Sequence, residues 1–253
     1  GMAAGLALRG RIPVVHGIAA FLSMRAFEFI RTDVGIGRLP VKLVGSVPGF
    51  LAAGNGPTHQ AVEDVALMRS IPGVHIFTPA DEEDLVIGLP HILDSPHPCY
   101  IRLNQLPAAV PHSKDFSLGR AETIVDGSDV SVLVYGTLFT QAIETAKILQ
   151  EQGIGVRVIN LRMMNPLDEQ AVLAAVRETK LVVTLEDHFL TGGLYSAVAE
   201  ILLQKEITAK VLPLALQNRY YKPASLEDIL VYEGFTGKQL AEQILKEVGG
   251  AYA

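Results

Sequence analysis

Short β-branched runs alternate with longer stretches of helical periodicity along most of the chain. In the first half the pattern predicts strands at 12–16, 41–47, 74–77 and 98–102, with helices at 19–32, 60–69 and 81–93. Ala20, Met24 and Phe27 recur at i, i+4, i+7, the stripe of a half-buried helix, and Leu85, Leu89 and Ile92 repeat it. Thr78-Pro79-Ala80-Asp81 places a proline and a capping side chain ahead of an acidic first turn, a helix start that the helix dipole favours. A second series predicts strands at 130–135, 156–161, 181–185 and 210–212, and helices at 138–152, 168–176, 193–203 and 237–248. Phe139, Ala142, Ile143, Ala146 and Leu149 form its strongest apolar stripe, closed by Gly153. Between the series, 104–121 loses all periodicity and carries Pro107, Pro111 and Gly119, the marks of a connecting loop. Gly1–Leu8 reads as a helix met part-way along, with no capping residue before it. Two β-α series predict an α/β protein: two consecutive doubly wound domains with mostly parallel sheets, at 1–110 and 122–253, joined by a linker at 111–121.

Composition narrows the function. With 49% hydrophobic and 19% charged residues the chain can fill two cores and is not disordered. A net charge of −6 argues against a nucleic-acid binder. Apolar runs are broken by Pro, Gly or charge well before the roughly 20 residues of a membrane helix, so no membrane partner is expected. The single Cys99 excludes an intrachain disulfide and a cysteine-rich metal site, which fits a reducing, cytoplasmic setting.

Chemistry concentrates in a few places. Gly54-Asn55-Gly56-Pro57-Thr58-His59-Gln60 follows a predicted strand and leads into a predicted helix with Thr58 as its cap. His59 thereby sits where open α/β sheets hold ligands; the bland alternative is a loop histidine bonded to its own backbone. Arg102 closes a buried strand, where its fork suits a phosphate or carboxylate; an ion pair with an acidic helix is the alternative, and for an arginine taken alone the stronger one. Phe21, Met24 and Phe27 share a broad helical face that could form a slot for a flat heterocycle, or simply line the core. Glu186-Asp187-His188 lacks further ligands for a metal and reads better as a hydrogen-bonded turn or an interface.

At this point a resemblance is specific. Gly56-Pro57-Thr58-His59-Gln60, with Asp64, Ala66, Arg69, Ile71 and Pro72 following in register, resembles the GPTHQ signature of transketolases. Ala4-Gly5-Leu6-Ala7, Arg25-Ala26-Phe27, Thr78-Pro79-Ala80-Asp81, Asn165-Pro166-Leu167-Asp168 and Gly192–Glu200 extend the similarity over nearly the whole chain. The chain resembles the C-terminal section of a split transketolase: the thiamine-diphosphate pyrimidine-binding domain plus the transketolase C-terminal domain, without the diphosphate-binding domain. The resemblance implies transfer of a two-carbon ketol unit between sugar phosphates by thiamine diphosphate. It implies that Phe21 stacks on the aminopyrimidine, with Met24 and Phe27 lining the same slot, and leaves Leu22 and Arg25 open as rivals for that place. It implies that His59 approaches the reactive centre, that His59 and Asn55 meet the sugar and that Arg102 holds its phosphate. It further implies a partner subunit, the N-terminal transketolase section, that carries the diphosphate and Mg²⁺, and an assembly built on a homodimer, two of each chain.

Three departures shape the expectation. The family's activating glutamate precedes the Ala-Gly-Leu-Ala run, whereas the first glutamate here is Glu28; the abrupt helical start suggests a chain that begins after that point. Val47 stands where many members have a substrate-binding histidine, and Asn55 where they often have an aspartate, with Gly54 in place of the usual glutamate. The sequence therefore predicts a transketolase-type transferase subunit. Its rivals are a non-catalytic scaffold or regulatory subunit, and another thiamine-diphosphate enzyme such as a deoxyxylulose-phosphate synthase or a 2-oxo-acid dehydrogenase β subunit.

Overall fold

The computed structural model describes residues 1–249. Two five-stranded sheets carry the chain. The first has the order β1-β2-β4-β3-β8, from β1 (Val14–Ile18), β2 (Lys42–Ser46), β4 (Cys99–Leu103), β3 (His75–Phe77) and β8 (Met163–Asn165). Its first four strands run parallel and β8 joins β3 antiparallel. The second has the order β10-β9-β6-β7-β5, from β10 (Val211–Leu216), β9 (Leu181–Phe189), β6 (Val130–Val134), β7 (Val156–Asn160) and β5 (Glu122–Val125). Only β5 is antiparallel there, against β7.

Helices α1 (Met2–Leu8), α2 (Phe27–Phe29), α3 (Asp64–Arg69) and α4 (Glu82–Asp94) accompany the first sheet; α5 (Phe139–Gln150), α6 (Glu169–Glu178), α7 (Leu194–Gln204), α8 (Leu226–Glu233) and α9 (Gly237–Gly249) accompany the second. Asp81 caps α4 by accepting from the Glu83 and Asp84 N–H groups, as its position ahead of an acidic turn predicts. Asp168 caps α6 through Ala171 N–H. Among the described residues no helix is long and apolar enough to cross a membrane.

Local structure departs from the sequence pattern at several places, and β5 and α8 lie where no element is predicted. The predicted helix 19–32 is broken into a π-helical turn (Phe21–Arg25), the single turn α2 and a second π-helical turn (Ile30–Gly35). A π turn takes an extra residue and rotates the chain beyond it, so a face counted at α-helical spacing does not survive it. The predicted helix 60–69 begins only at Asp64, and Phe50–Thr58 instead forms a 3₁₀ segment. Strand β8 comes from the second half of the chain yet completes the first sheet.

The domains share a core. One apolar cluster runs from Ala4, Ala7, Leu22 and Val34 through Val65 and Tyr100 to Leu133, Tyr135, Leu161, Leu194 and Val198. The stretch 104–121 contains no helix or strand, but it is fastened: Asn104 donates to Pro79 O at 2.8 Å, Phe116 packs with Phe77 and Ile92, and His112 lies between Asp81 and Glu122.

Candidate functional site

Strands β1 and β2 deliver two segments to the carboxyl end of the first sheet. After β1 the chain passes Ala19-Ala20 and turns into the π-helical turn with Phe21 at its head. After β2 it runs through Val47 to the 3₁₀ segment that holds Asn55 and ends at Thr58. His59 follows, off any helix, and its ring meets the edge of the Phe21 ring at a centroid distance of 4.8 Å and an angle of 61°. Two segments 38 positions apart (59 − 21) thus bring a half-buried phenyl ring and a half-buried imidazole into contact.

Thr58 Oγ1 lies 2.8 Å from His59 Nδ1. When the hydroxyl donates, Nε2–H is a donor; when it accepts, Nε2 is an acceptor. Among the described residues Nε2 has no hydrogen-bond partner, so the ring can serve an external oxygen in either sense. The Phe21 ring is covered by the Arg25 guanidinium at 4.1 Å from its centroid. A planar cation at stacking distance shows that this face admits a flat group.

The other expected residues divide. Asn55 is exposed on the 3₁₀ segment, within the same loop as His59. Met24 is 36% exposed at the lip of the π turn. Phe27 is half-buried and packs against the shared core, whereas Phe21 packs against Ala19, Ala20 and Ala61. Leu22 is buried in that core and Arg25 lies outside it, which leaves Phe21 alone beside His59.

Arg102 requires a correction. Its side chain is 1% exposed and each of its three nitrogens donates inside the protein. Nε donates to Asp64 Oδ2 at 3.1 Å, Nη1 to Asp187 Oδ1 at 2.6 Å, and Nη2 to Ala61 O at 3.3 Å. Burial works against the charge, but Asp187 and Asp64 outweigh it and hold the guanidinium well above its ordinary pKa. Tyr100 Oη donates to Asp64 Oδ2 at 2.7 Å, in space left by the missing side chain of Gly45. Arg102 is the ion-pair alternative realised, with one aspartate from each domain, and it offers nothing to a phosphate.

The Glu186-Asp187-His188 run proves to be an interface. Glu186 accepts from the Leu194 and Tyr195 N–H groups at 2.6 and 3.0 Å; burial pushes its carboxyl up to about 8 against the pull of those donors. His188 Nδ1 lies 2.7 Å from Phe189 O, which accepts its proton, and Nε2 accepts from Ala66 N–H on α3 at 3.2 Å. Burial holds this ring below the ordinary histidine pKa. A second buried cluster joins Asp81, Asp84, His112, Glu122 and Arg162. Asp84, His112 and Glu122 stand close enough together for a metal, but Arg162 sits 2.7 Å from both acids and takes that place.

The family described as the transketolase pyrimidine-binding domain matches residues 1–107, and the transketolase C-terminal domain matches residues 119–240. The putative transketolase C-terminal section of Methanocaldococcus jannaschii is 30% identical over 252 residues, 98% of this chain and 79% of that protein. The chain belongs to the transketolase family. The 6-deoxy-6-sulfo-D-fructose transketolase subunit SqwH of Clostridium sp. (strain MSTE9) is 43% identical over 204 residues; the match covers 80% of this chain and 63% of that relative. Among solved structures, a split gene transketolase described as an inactive beta4 tetramer superposes with a TM-score of 0.88 at 34% identity, over 97% of this chain and 79% of that one. Membership fixes the two-domain α/β architecture and implies use of thiamine diphosphate within the family.

Sequence reasoning missed Asp64, Tyr100 and Asp187 as a unit with Arg102. Asp64 lay in plain view within the family signature, but its partner Asp187 is 123 positions further along the chain.

Proposed function

We propose that this chain is the C-terminal subunit of a two-chain transketolase that moves a two-carbon ketol unit between sugars bearing an anionic end group. The observation that carries the reading is the Phe21–His59 contact at the carboxyl end of the first sheet: a stacking face and a hydrogen-bonding imidazole side by side. When bound, thiamine diphosphate supplies the carbanion chemistry that breaks and remakes the C–C bond. Phe21 would take the aminopyrimidine in the position that Arg25 covers, with Met24 at the lip. His59, through Nε2, would steady hydroxyl or oxyanion oxygens of the reacting sugar, and Asn55 would hydrogen-bond a sugar hydroxyl. The diphosphate and Mg²⁺ would belong to a partner subunit, an N-terminal transketolase section. The names of the relatives, a C-terminal section, a subunit and a split-gene tetramer, support that division.

One observation favours a sulfonated over a phosphorylated sugar. Arg102, the expected phosphate ligand, is sealed inside the protein, and the relative at 43% identity is described as acting on 6-deoxy-6-sulfo-D-fructose. The experiment is to combine the chain with its N-terminal partner, thiamine diphosphate and Mg²⁺, and to measure ketol transfer to an aldose acceptor from 6-deoxy-6-sulfofructose and, separately, from fructose 6-phosphate. Turnover with the sulfonate at least tenfold above the phosphate supports the reading. Preference for the phosphate overturns the substrate class, and no transfer from either donor overturns the function.

A further inference from the structure

The carboxyl end of β9 holds the base of the loop that carries His59. Phe189 N–H donates to Val62 O at 2.8 Å, and Ala66 N–H donates to His188 Nε2 at 3.2 Å. Asp187 accepts from Arg102 at 2.6 Å, and Arg102 donates in turn to Ala61 O at 3.3 Å. Ala61 O also accepts from Gly49 N–H at 2.9 Å, so the loop 49–61 is closed at its neck by a carbonyl that Arg102 grips. Only glycine fits at 49: its φ is +55°, and a Cβ there would stand 1.7 Å from Asp187 Oδ2. Three consecutive residues of the second domain thus reach positions 61, 62 and 66, directly after His59.

The second sheet presents these residues beside the ends of β6 and β9, where its connections diverge. Open α/β sheets hold their ligands at such crevices. Here the occupant is Arg102 of the other domain, 5.4 Å from the Tyr135 ring centroid. The second domain also braces the far side of the loop, with Tyr221 against Phe50 at 5.3 Å and Gln60 donating to Lys222 O at 3.5 Å.

We propose that Asp187 is a positioning residue: through Arg102 and Ala61 it sets where the His59 ring stands relative to Phe21, and so gives the second domain a part in the reaction. This rests on the role proposed above for His59, but its geometric content can be measured without turnover. The full chain is compared with Asp187→Asn by amide hydrogen exchange and by the nuclear Overhauser contact between the Phe21 and His59 rings. The expected result is exchange at least tenfold faster at Gly49, His59 and Gln60, unchanged exchange along β7, and loss of the ring contact. In the assembled enzyme kcat should fall at least tenfold with KM within threefold. Unchanged loop exchange with the ring contact kept overturns the proposal; equal acceleration along β7 shows a merely structural role and overturns it too. Should Asp187→Asn fail to fold, Arg102→Lys keeps the charge, loses the donor to Ala61 O and is judged by the same outcomes. Absence of ketol transfer by the wild-type assembly would remove the proposed function, while exchange and ring contact would still decide the role of Asp187.

Discussion

His59 and Arg102 are basic side chains near the carboxyl end of one sheet, and the structure gives them opposite tasks. His59 has one ring nitrogen without a partner among the described residues; Arg102 spends its fork on two buried aspartates. In the assembled enzyme, His59→Ala should lower kcat by about 100-fold, the scale of a lost general acid–base or oxyanion contact, and leave thiamine diphosphate affinity near wild type. Steady-state kinetics and a cofactor titration check this, and an unchanged kcat contradicts it. Arg102→Ala strands two carboxylates in the core and should cost about 3–5 kcal/mol of stability, read as a lowered Tm, where a substrate ligand would show a raised KM in a stably folded protein. Gly49→Ala should destabilise comparably, because its Cβ collides with Asp187 in a backbone conformation that other residues adopt with strain. His59 is legible in the sequence because it lies in the GPTHQ motif, whereas Phe21 lies in no quoted motif and is singled out by the resemblance alone. The ion pairs of Arg102 are not legible in the sequence because Asp64 and Asp187 lie 38 and 85 positions away, the latter on another sheet.

Elements written in periodicity were legible: the strands Lys42–Ser46, Cys99–Leu103, Val130–Val134 and Val156–Asn160 fall within two residues of the predicted bounds. Those shaped by tertiary contact were not. The π turn at Phe21–Arg25 has no periodic signature of its own, and it breaks the α-helical spacing by which Phe21, Met24 and Phe27 were counted onto one face. Strand β8 is three residues long and exists because Phe77 and Ile76 offer it an edge. The loop 104–121 read as a plain linker, yet His112 is clamped in it. Burial disfavours the charged ring, but the Asp81 and Glu122 carboxylates, 2.9 and 2.8 Å from its two nitrogens, raise its pKa to about 10. A group raised above its unfolded value of 6.5 contributes fully below that pH and loses its contribution as pH rises through about 10. Unfolding free energy should therefore decline between pH 6.5 and 10 in the wild type, and His112→Gln should be less stable at pH 6.5 and flatter across that range. Denaturant titrations at a series of pH values measure both, and a parallel decline in the variant contradicts the assignment.

As a whole the molecule is two sheets whose carboxyl ends face one another across a shared apolar core and two buried ionic clusters. Large apolar side chains nonetheless remain exposed in its first 36 residues, among them Met2, Leu8, Val14, Phe29 and Ile36, on the domain that carries Phe21. Surface of that kind suits protein contact and agrees with a site completed by a second subunit. On the function proposed above, Phe21 and His59 form one wall of a thiamine pocket whose other wall belongs to another chain. The most direct measurement is a structure of this chain assembled with its N-terminal partner and thiamine diphosphate. It should show the aminopyrimidine on the Phe21 face, Arg25 moved off it, and His59 Nε2 turned toward the reactive ring. An aminopyrimidine remote from Phe21, or a His59 ring directed into solvent in the assembled state, would contradict the claim.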